Sequence, residues 1–235
     1  MKQQERSWDD DIERLILFAD IMGFKDRVMR TRHIDLKHTL VAFKEEWSRK
    51  MSPFKLGDHL RFSQYSDSIV IVVNGVDNRS LNLISKAGTC LVQTSLKAGL
   101  PIKGAIAKGQ FTYDESHQIF FGQPLVDAYL LQDEIKFYGI VAHHTIEHLI
   151  KNSKPDIARM FAKTDVPLEK GWSKHYILSW EKINNNSFHA NGIELGPWLD
   201  SIEENISGKP RVYVDNTIKV MDSIKIVNHP SNLFL

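Results

Sequence analysis

Two aspartates beside short apolar runs are the residues best suited by type and position to do chemistry. Asp20 ends the run RLILFAD, and Asp67 precedes the β-branched run of YSDSIVIVV. If these runs form adjacent strands, both carboxylates reach the same edge of one sheet. Paired carboxylates bind Mg²⁺ or Mn²⁺, and two such ions can activate an attacking oxygen and stabilise a leaving one. The alternative is that each aspartate only caps a turn or a helix.

A Gly-Phe turn follows Asp20 directly along the chain. A sharp turn from a strand into a helix exposes backbone N–H groups, which can receive a polyphosphate. An ordinary connection between a strand and a helix carries the same residue types. Gly23 and Phe24 are therefore candidate substrate contacts because they stand next to the acid.

The apolar pattern embeds these residues in an alternating series of strands and helices. It predicts strands at 14–20, 60–65, 69–73, 102–111, 117–121 and 138–142, and helices at 34–50, 79–98 and 123–135. This order predicts an α+β fold, with helices packed on one face of a mostly antiparallel sheet whose central strand ends at Asp20. Beyond residue 150 the pattern weakens to a strand at 174–180, a turn at 184–186, and helical patterns near 197–206 and 212–226.

Composition places the chain among ordinary globular proteins. Its 235 residues are 42% hydrophobic and 25% charged, and no stretch rich in Pro, Gly or Ser divides them. We expect a catalytic core at 1–150 and a C-terminal extension at 151–235 packed on the same domain. The net charge of +1 offers no general attraction to nucleic acid or to an anionic membrane, so neither is expected as a partner. The single Cys90 and the lack of a long apolar run favour the cytoplasm.

Four segments together resemble the class III nucleotidyl cyclase family. FADIMGF is similar to the family's first metal motif and SDSIVIVV to its second, while IKGAIAKGQF and FFGQPLVDAYLLQ resemble a later strand and a glycine-led helix. The resemblance covers roughly residues 14–142 and implies a ferredoxin-like βαββαβ core. It also implies two Mg²⁺ or Mn²⁺ ions per active site, held by Asp20, Asp67 and the backbone carbonyl of Ile21. Such cyclases are head-to-tail homodimers with the nucleotide held between the subunits.

Departures from the family's motifs indicate a particular branch. The Asn and Arg that stabilise the transition state in most members align with Asp127 and Leu131. The residue that selects a purine aligns with Ser63, and the Gly before the second aspartate with Ser66. With the Ala-Tyr of VDAYLLQ, these positions most resemble the pyrimidine cyclases of the Pycsar anti-phage system. That resemblance implies UTP, or else CTP, as the substrate, and a cyclic product read by a separate membrane or NADase effector.

The missing Asn and Arg leave open which cation neutralises the transition state. Lys103, just after Pro101, and Arg61 in the hairpin are candidates, and the alternative for each is a solvated surface charge. Tyr65, two residues before Asp67, is a candidate to stack on the base, against the alternative of packing within a strand.

Three other functions remain open at the level of sequence. One is a purine cyclase whose base contacts come from other positions. Another is a catalytically silent, cyclase-like module that binds a nucleotide, although keeping both acids argues against it. The third is a diguanylate-cyclase-like or polymerase palm enzyme, which the absence of a GGDEF-type turn at the hairpin disfavours.

Overall fold

A computed structural model describes residue 8 and residues 11–54, 59–179 and 206–227. Its strands are β1 (Ile12–Ile21), β2 (Leu60–Tyr65), β3 (Ser68–Val73), β4 (Ile102–Asp114), β5 (Ile119–Gly122), β6 (Gly139–Ala142), β7 (Phe161–Leu168) and β8 (Gly171–Leu178). Its helices are α1 (Phe24–Arg30), α2 (His33–Met51), α3 (Asn78–Lys97), α4 (Gln123–Glu134), α5 (His144–Lys151), α6 (Pro155–Ala158) and α7 (Lys209–Val227), with a 3₁₀ turn at Ser52–Phe54.

One mixed sheet organises the described residues. Its strand order is β2-β3-β1-β4-β6-β8-β7, and β5 pairs with β4. Pairing is antiparallel except between β4 and β6, so the predicted α+β class with a mostly antiparallel sheet is confirmed. Strand β1 lies inside the sheet, and its neighbours place Ser68 on one side of Asp20 and Lys103 on the other.

The two faces of the sheet are covered by different helices. Alternation along β1 sends Leu17 toward α3, where the lack of a side chain at Gly88 leaves room for Leu17 and Leu178. Phe18 points to the opposite face, where it packs with Ala128 of α4. The prediction that all helices pack on one face of the sheet is therefore wrong for α4, which packs on the other face. Small residues on β4 make this possible, because they let the apolar side of α4 lie close to the strands.

The predicted elements up to residue 142 match the observed ones to within a few residues. Strand β4 runs three residues beyond its predicted end because it pairs with β5 as well as β1. After residue 150, β8 and α7 overlap the predicted strand at 174–180 and the helical pattern at 212–226. Strand β7 was not predicted, since Pro167 interrupts its pattern, which an edge strand tolerates. The predicted turn at 184–186 and most of the pattern at 197–206 lie outside the described residues.

Strand pairing continues across residue 150. Strand β8 pairs with β6, and helix α7 contacts β7. The hydroxyl of Thr217 on α7 also accepts a hydrogen bond from the backbone N–H of Tyr138, at 2.9 Å. The described part of the C-terminal region is therefore built into the same sheet and core. Among the described residues, no helix has both the length and the apolar character needed to cross a membrane.

Candidate active site

The ends of β1 and of the β2–β3 hairpin bring Asp20 and Asp67 together. Asp67 lies in the turn between β2 and β3, where Ser66 has a φ of 59°. The backbone N–H of Ile21 donates to the carbonyl oxygen of Asp67 at 2.9 Å. The Ser68 hydroxyl donates to Oδ1 of Asp20 at 2.8 Å. The local geometry thus fixes both acids at one end of the sheet, as the sequence predicts for two adjacent strands.

The Asp20 carboxylate sits in an environment that disfavours its charge. Burial is the main cause that raises its pKa, and the negative charge of Asp67 raises it further. The Ser68 hydrogen bond, the ammonium of Lys103 and the amide of Gln132 act in the opposite direction without cancelling the effect. A cation bound between the two carboxylates would relieve the repulsion between them.

Lys103 stands directly opposite Asp20 in the ladder between β1 and β4. It is only 6% exposed, and its Nζ donates to the backbone carbonyl of Asp133 at 2.9 Å. Burial lowers the pKa of Lys103, against the opposing charges of Asp133 and Asp20. The side chain is therefore not a solvated surface charge, and it lies at the site.

Arg61, the other candidate cation, lies at the far end of the hairpin. It pairs with Val72, whereas Tyr65 pairs with Ser68 next to the turn. Arg61 lies four residues before Tyr65 along the strand, which is about 13 Å at roughly 3.3 Å per residue. Its guanidinium lies 4.7 Å from the ring centroid of Trp8 and 3.9 Å from the Glu115 carboxylate. The strand register therefore does not bring Arg61 to the two acids within this chain.

The remaining candidate contacts lie around the same end of the sheet. Tyr65 is 88% exposed at the end of β2, so its ring does not pack within the strand. Gly23 has a φ of 70°, in the left-handed region that favours glycine, and open space lies where a Cβ would be. Phe24 is buried beneath this turn. Its side chain therefore belongs to the core, so a ligand would contact Phe24 through its backbone.

The oxygen donors at this site suit a hard divalent cation. Asp20 and Asp67 provide carboxylate oxygens. Ile21, the last residue of β1, provides a main-chain carbonyl oxygen. No group of three or more His, Cys, Asp or Glu side chains able to hold a metal occurs among the described residues. Mg²⁺ and Mn²⁺ do not need such a group, because they bind through one or two carboxylates and take water and phosphate oxygens as further ligands.

Two further residues at the site were not singled out from the sequence. Ser68 follows Asp67 directly, and its hydroxyl donates to the Asp20 carboxylate. Gln132 on α4 is 1% exposed and its amide acts on the Asp20 carboxylate. The signal that could have found Gln132 is its spacing, because it stands one helical turn after Ala128 on the apolar side of α4.

Comparison with known proteins establishes the fold. No protein-family model and no curated protein matches the sequence. The guanylyl cyclase domain of the RhoGC fusion protein from the aquatic fungus Blastocladiella emersonii is 15% identical with a TM-score of 0.55, covering 71% of this chain and 94% of that domain. An adenylate cyclase from Trypanosoma brucei is 13% identical with a TM-score of 0.50, covering 74% of this chain and 91% of the other.

The chain has the fold of a class III nucleotidyl cyclase domain. A third structure with this cyclase fold is the catalytic core of a rhodopsin-guanylyl cyclase with converted specificity, in complex with ATPαS. It is 18% identical with a TM-score of 0.53, and covers 71% of this chain and 94% of that core. At identities of 13–18%, this structural similarity establishes the fold and not the substrate.

Proposed function

We propose that this chain is a nucleotidyl cyclase, which converts a nucleoside triphosphate to a 3′,5′-cyclic mononucleotide and pyrophosphate. The observation that carries the proposal is the meeting of Asp20 and Asp67 at one end of two paired strands in a cyclase fold. Their carboxylates, with the carbonyl of Ile21, would hold two Mg²⁺ or Mn²⁺ ions. Bound there, the ions would acidify the ribose 3′-hydroxyl and neutralise the triphosphate.

The chain's own residues supply orientation and a fixed positive charge. The Ser68 hydroxyl donates to one oxygen of Asp20, and the carboxylate keeps further lone pairs for a ligand. The ammonium of Lys103, fixed on the same face of the sheet, replaces the cation that most members of the family carry on the glycine-led helix. A preorganised charge of this kind stabilises the negative charge that develops at the α-phosphate. The backbone N–H groups of Gly23 and Phe24 receive the outer phosphates.

A pyrimidine triphosphate is the proposed substrate, with UTP ahead of CTP. Tyr65 offers an exposed aromatic face beside Asp67, and stacking on such a face suits a small base. Ser63 is too short to reach a base edge, and its hydroxyl lies beside the phenol of Tyr113. The alternative of a purine substrate is supported by the solved neighbours, which are guanylyl and adenylate cyclases.

Competition among ATP, GTP, CTP and UTP at equal concentration, with Mn²⁺ and product analysis by mass spectrometry, tests both the activity and the base. We expect cyclic UMP as the main product. Tyr65→Ala is expected to lower kcat/KM for UTP by about tenfold to a hundredfold, because stacking contributes about 1–3 kcal/mol per base. Tyr65→Phe is the matched control and should stay near wild type. A dominant purine product would contradict the pyrimidine assignment, and the absence of any product would favour a silent nucleotide-binding module.

The proposed enzyme is a homodimer that covers an exposed apolar surface. Large apolar side chains on α4 and β5, each 38–60% exposed, form this α4–β5 surface: Ile119, Phe120, Phe121, Val126, Tyr129 and Leu130. It lies on the same face of the sheet as Asp20, since α4 packs over Phe18. Clusters of exposed large apolar side chains often mark protein interfaces. A second copy covering it would complete the nucleotide cleft.

Sedimentation velocity tests this assembly. We expect a homodimer for the wild type and a monomer with greatly reduced cyclase activity for Leu130→Asp, because burying an unpaired carboxylate at an interface is unfavourable. Val212→Asp on α7 is the control, since Val212 is also about half exposed but lies on a different helix. A strictly monomeric and fully active wild-type enzyme would contradict the dimer.

The proposed role of the product is that of a second messenger in anti-phage defence. This rests on the resemblance to the pyrimidine cyclases of that system, which is carried by VDAYLLQ together with the departures at Asp127, Leu131, Ser63 and Ser66. A separate effector protein would bind the cyclic nucleotide.

A further inference from the structure

Gln132 on α4 is a buried side chain whose polar atoms have no hydrogen-bond partner among the described residues. It is 1% exposed, and both its Nε2 and its Oε1 lack a partner there. Buried amides in folded proteins are almost always hydrogen-bonded, because an unpaired buried donor or acceptor is unfavourable. A buried amide without a partner is therefore a feature that a role in ligand binding can explain.

The position of Gln132 relates it to Asp20. Ala128, one turn earlier on α4, packs against Phe18, and Phe18 shares a face of β1 with Asp20. The next residue after Gln132 is Asp133, whose carbonyl accepts the hydrogen bond from Lys103, the residue opposite Asp20. The Gln132 amide also lies close enough to the Asp20 carboxylate to interact with it, although it makes no hydrogen bond of regular geometry. The C-terminal half of α4 thus lies over the Asp20 end of the sheet.

The two residues that pair with Asp20 in the sheet, Ser68 and Lys103, already have side-chain hydrogen-bond partners. Ser68 donates to Oδ1 of Asp20, and Lys103 donates to the Asp133 carbonyl. A carboxylate can accept about four hydrogen bonds or ligand bonds, so the Ser68 hydrogen bond leaves room for a further donor as well as a metal. Gln132 has two N–H donors to offer.

We propose that Gln132 is a positioning residue for Asp20, whose amide N–H donates to the Asp20 carboxylate when that carboxylate binds a divalent cation. The proposal rests on the function proposed above. Hydrogen bonds to a metal-binding carboxylate fix its orientation, and loss of such a partner typically lowers metal affinity by about 10–100-fold. The unpaired amide of the free protein is then a group held ready for the loaded site.

A purely structural role and this positioning role predict opposite effects of Gln132→Met. Methionine has a similar length and no hydrogen-bonding requirement. If the amide stabilised the fold, the Tm would fall. If the amide is unpaired in the free protein, replacing it with an apolar group leaves the Tm unchanged or raises it. We expect the second result, together with weaker binding of the cation.

The experiment titrates Mn²⁺ into the full-length protein and follows the electron paramagnetic resonance signal of the free ion. It is done with each of the four 3′-deoxy nucleoside triphosphates in turn, because these cannot cyclise. The expected result is a loss of Mn²⁺ affinity of about 10–100-fold in Gln132→Met, with the Tm maintained. Gln132→Leu should behave alike. Gln123→Met, the same change at the exposed start of α4, is the control and should bind like the wild type.

Two results would overturn the positioning role and leave the proposed cyclase function standing. One is wild-type Mn²⁺ affinity in both Gln132 variants. The other is a lower Tm in both variants, which would assign the amide to the fold. If the wild type bound no more Mn²⁺ than Asp20→Asn with every triphosphate, the metal site itself would be refuted, and the positioning role with it.

Discussion

Asp20→Asn is expected to lower the rate of cyclic nucleotide formation by about a thousandfold or more while the protein stays folded. The change removes a charged metal ligand, which contributes several kcal/mol to stabilising the transition state, and each 1.4 kcal/mol is about tenfold in rate. The fold should survive because asparagine keeps an oxygen that accepts the Ser68 hydroxyl. Turnover measured by product analysis at saturating Mn²⁺ checks the rate, and circular dichroism checks the fold.

The same variant is expected to be at least as stable as the wild type at neutral pH. Burial raises the pKa of the Asp20 carboxyl, so the folded protein disfavours its ionised form. For an acid with a raised pKa, stability is highest below the unfolded-state value and is lost as the pH rises through the folded-state pKa. An asparagine side chain does not ionise, so the variant does not lose stability in this way as the pH rises. The Tm of Asp20→Asn should therefore exceed that of the wild type near pH 7, and the difference should shrink as the pH falls.

Asp67→Asn should show the same loss of turnover, because both carboxylates are needed to hold the ions. Asp165→Asn is the matched control, since Asp165 is an exposed acid on the edge strand β7. Near-wild-type turnover in a folded Asp20→Asn or Asp67→Asn protein would contradict the assignment of the two aspartates as metal ligands.

Lys103→Met is expected to lower kcat by about a hundredfold to a thousandfold, as loss of one preorganised donor does at other charged transition states. The effect should fall on kcat more than on KM, because the charge it opposes develops in the transition state. The substitution should not unfold the protein. Methionine fills a similar volume, and burial already lowers the pKa of Lys103 by disfavouring its charge.

The control for Lys103 lies on the same strand. Lys108 on β4 is partly exposed and pairs with Glu13 at 3.1 Å, so Lys108→Met removes a lysine from β4 without touching the Asp20 end of the sheet. Initial rates over a range of UTP concentrations separate kcat from KM. If Lys103→Met kept wild-type kcat, another cation, such as one from a second copy of the chain, would have to neutralise the transition state.

The sequence by itself determined the elements and the positions of the two acids. Strands, helices and turns up to residue 142 follow from local patterns, namely alternation in strands, a period near 3.6 in helices, and Gly, Pro and Asn at the breaks. Asp20 ends an apolar run and Asp67 begins one, so their places at strand ends depend only on neighbouring residues. The motifs that resemble the cyclase family lie within these same segments. The sequence therefore also predicted the fold from local patterns.

Only the tertiary structure decided which other side chains join the acids. Lys103 and Arg61 look alike in the sequence, as basic residues at the starts of strands. Pairing between β1 and β4 places Lys103 opposite Asp20, whereas the hairpin register carries Arg61 to the far end of β2. Gln132 is buried because α4 packs on the face opposite the other helices. Register and packing are long-range properties, set by which strands pair and which faces meet, and no local pattern records them.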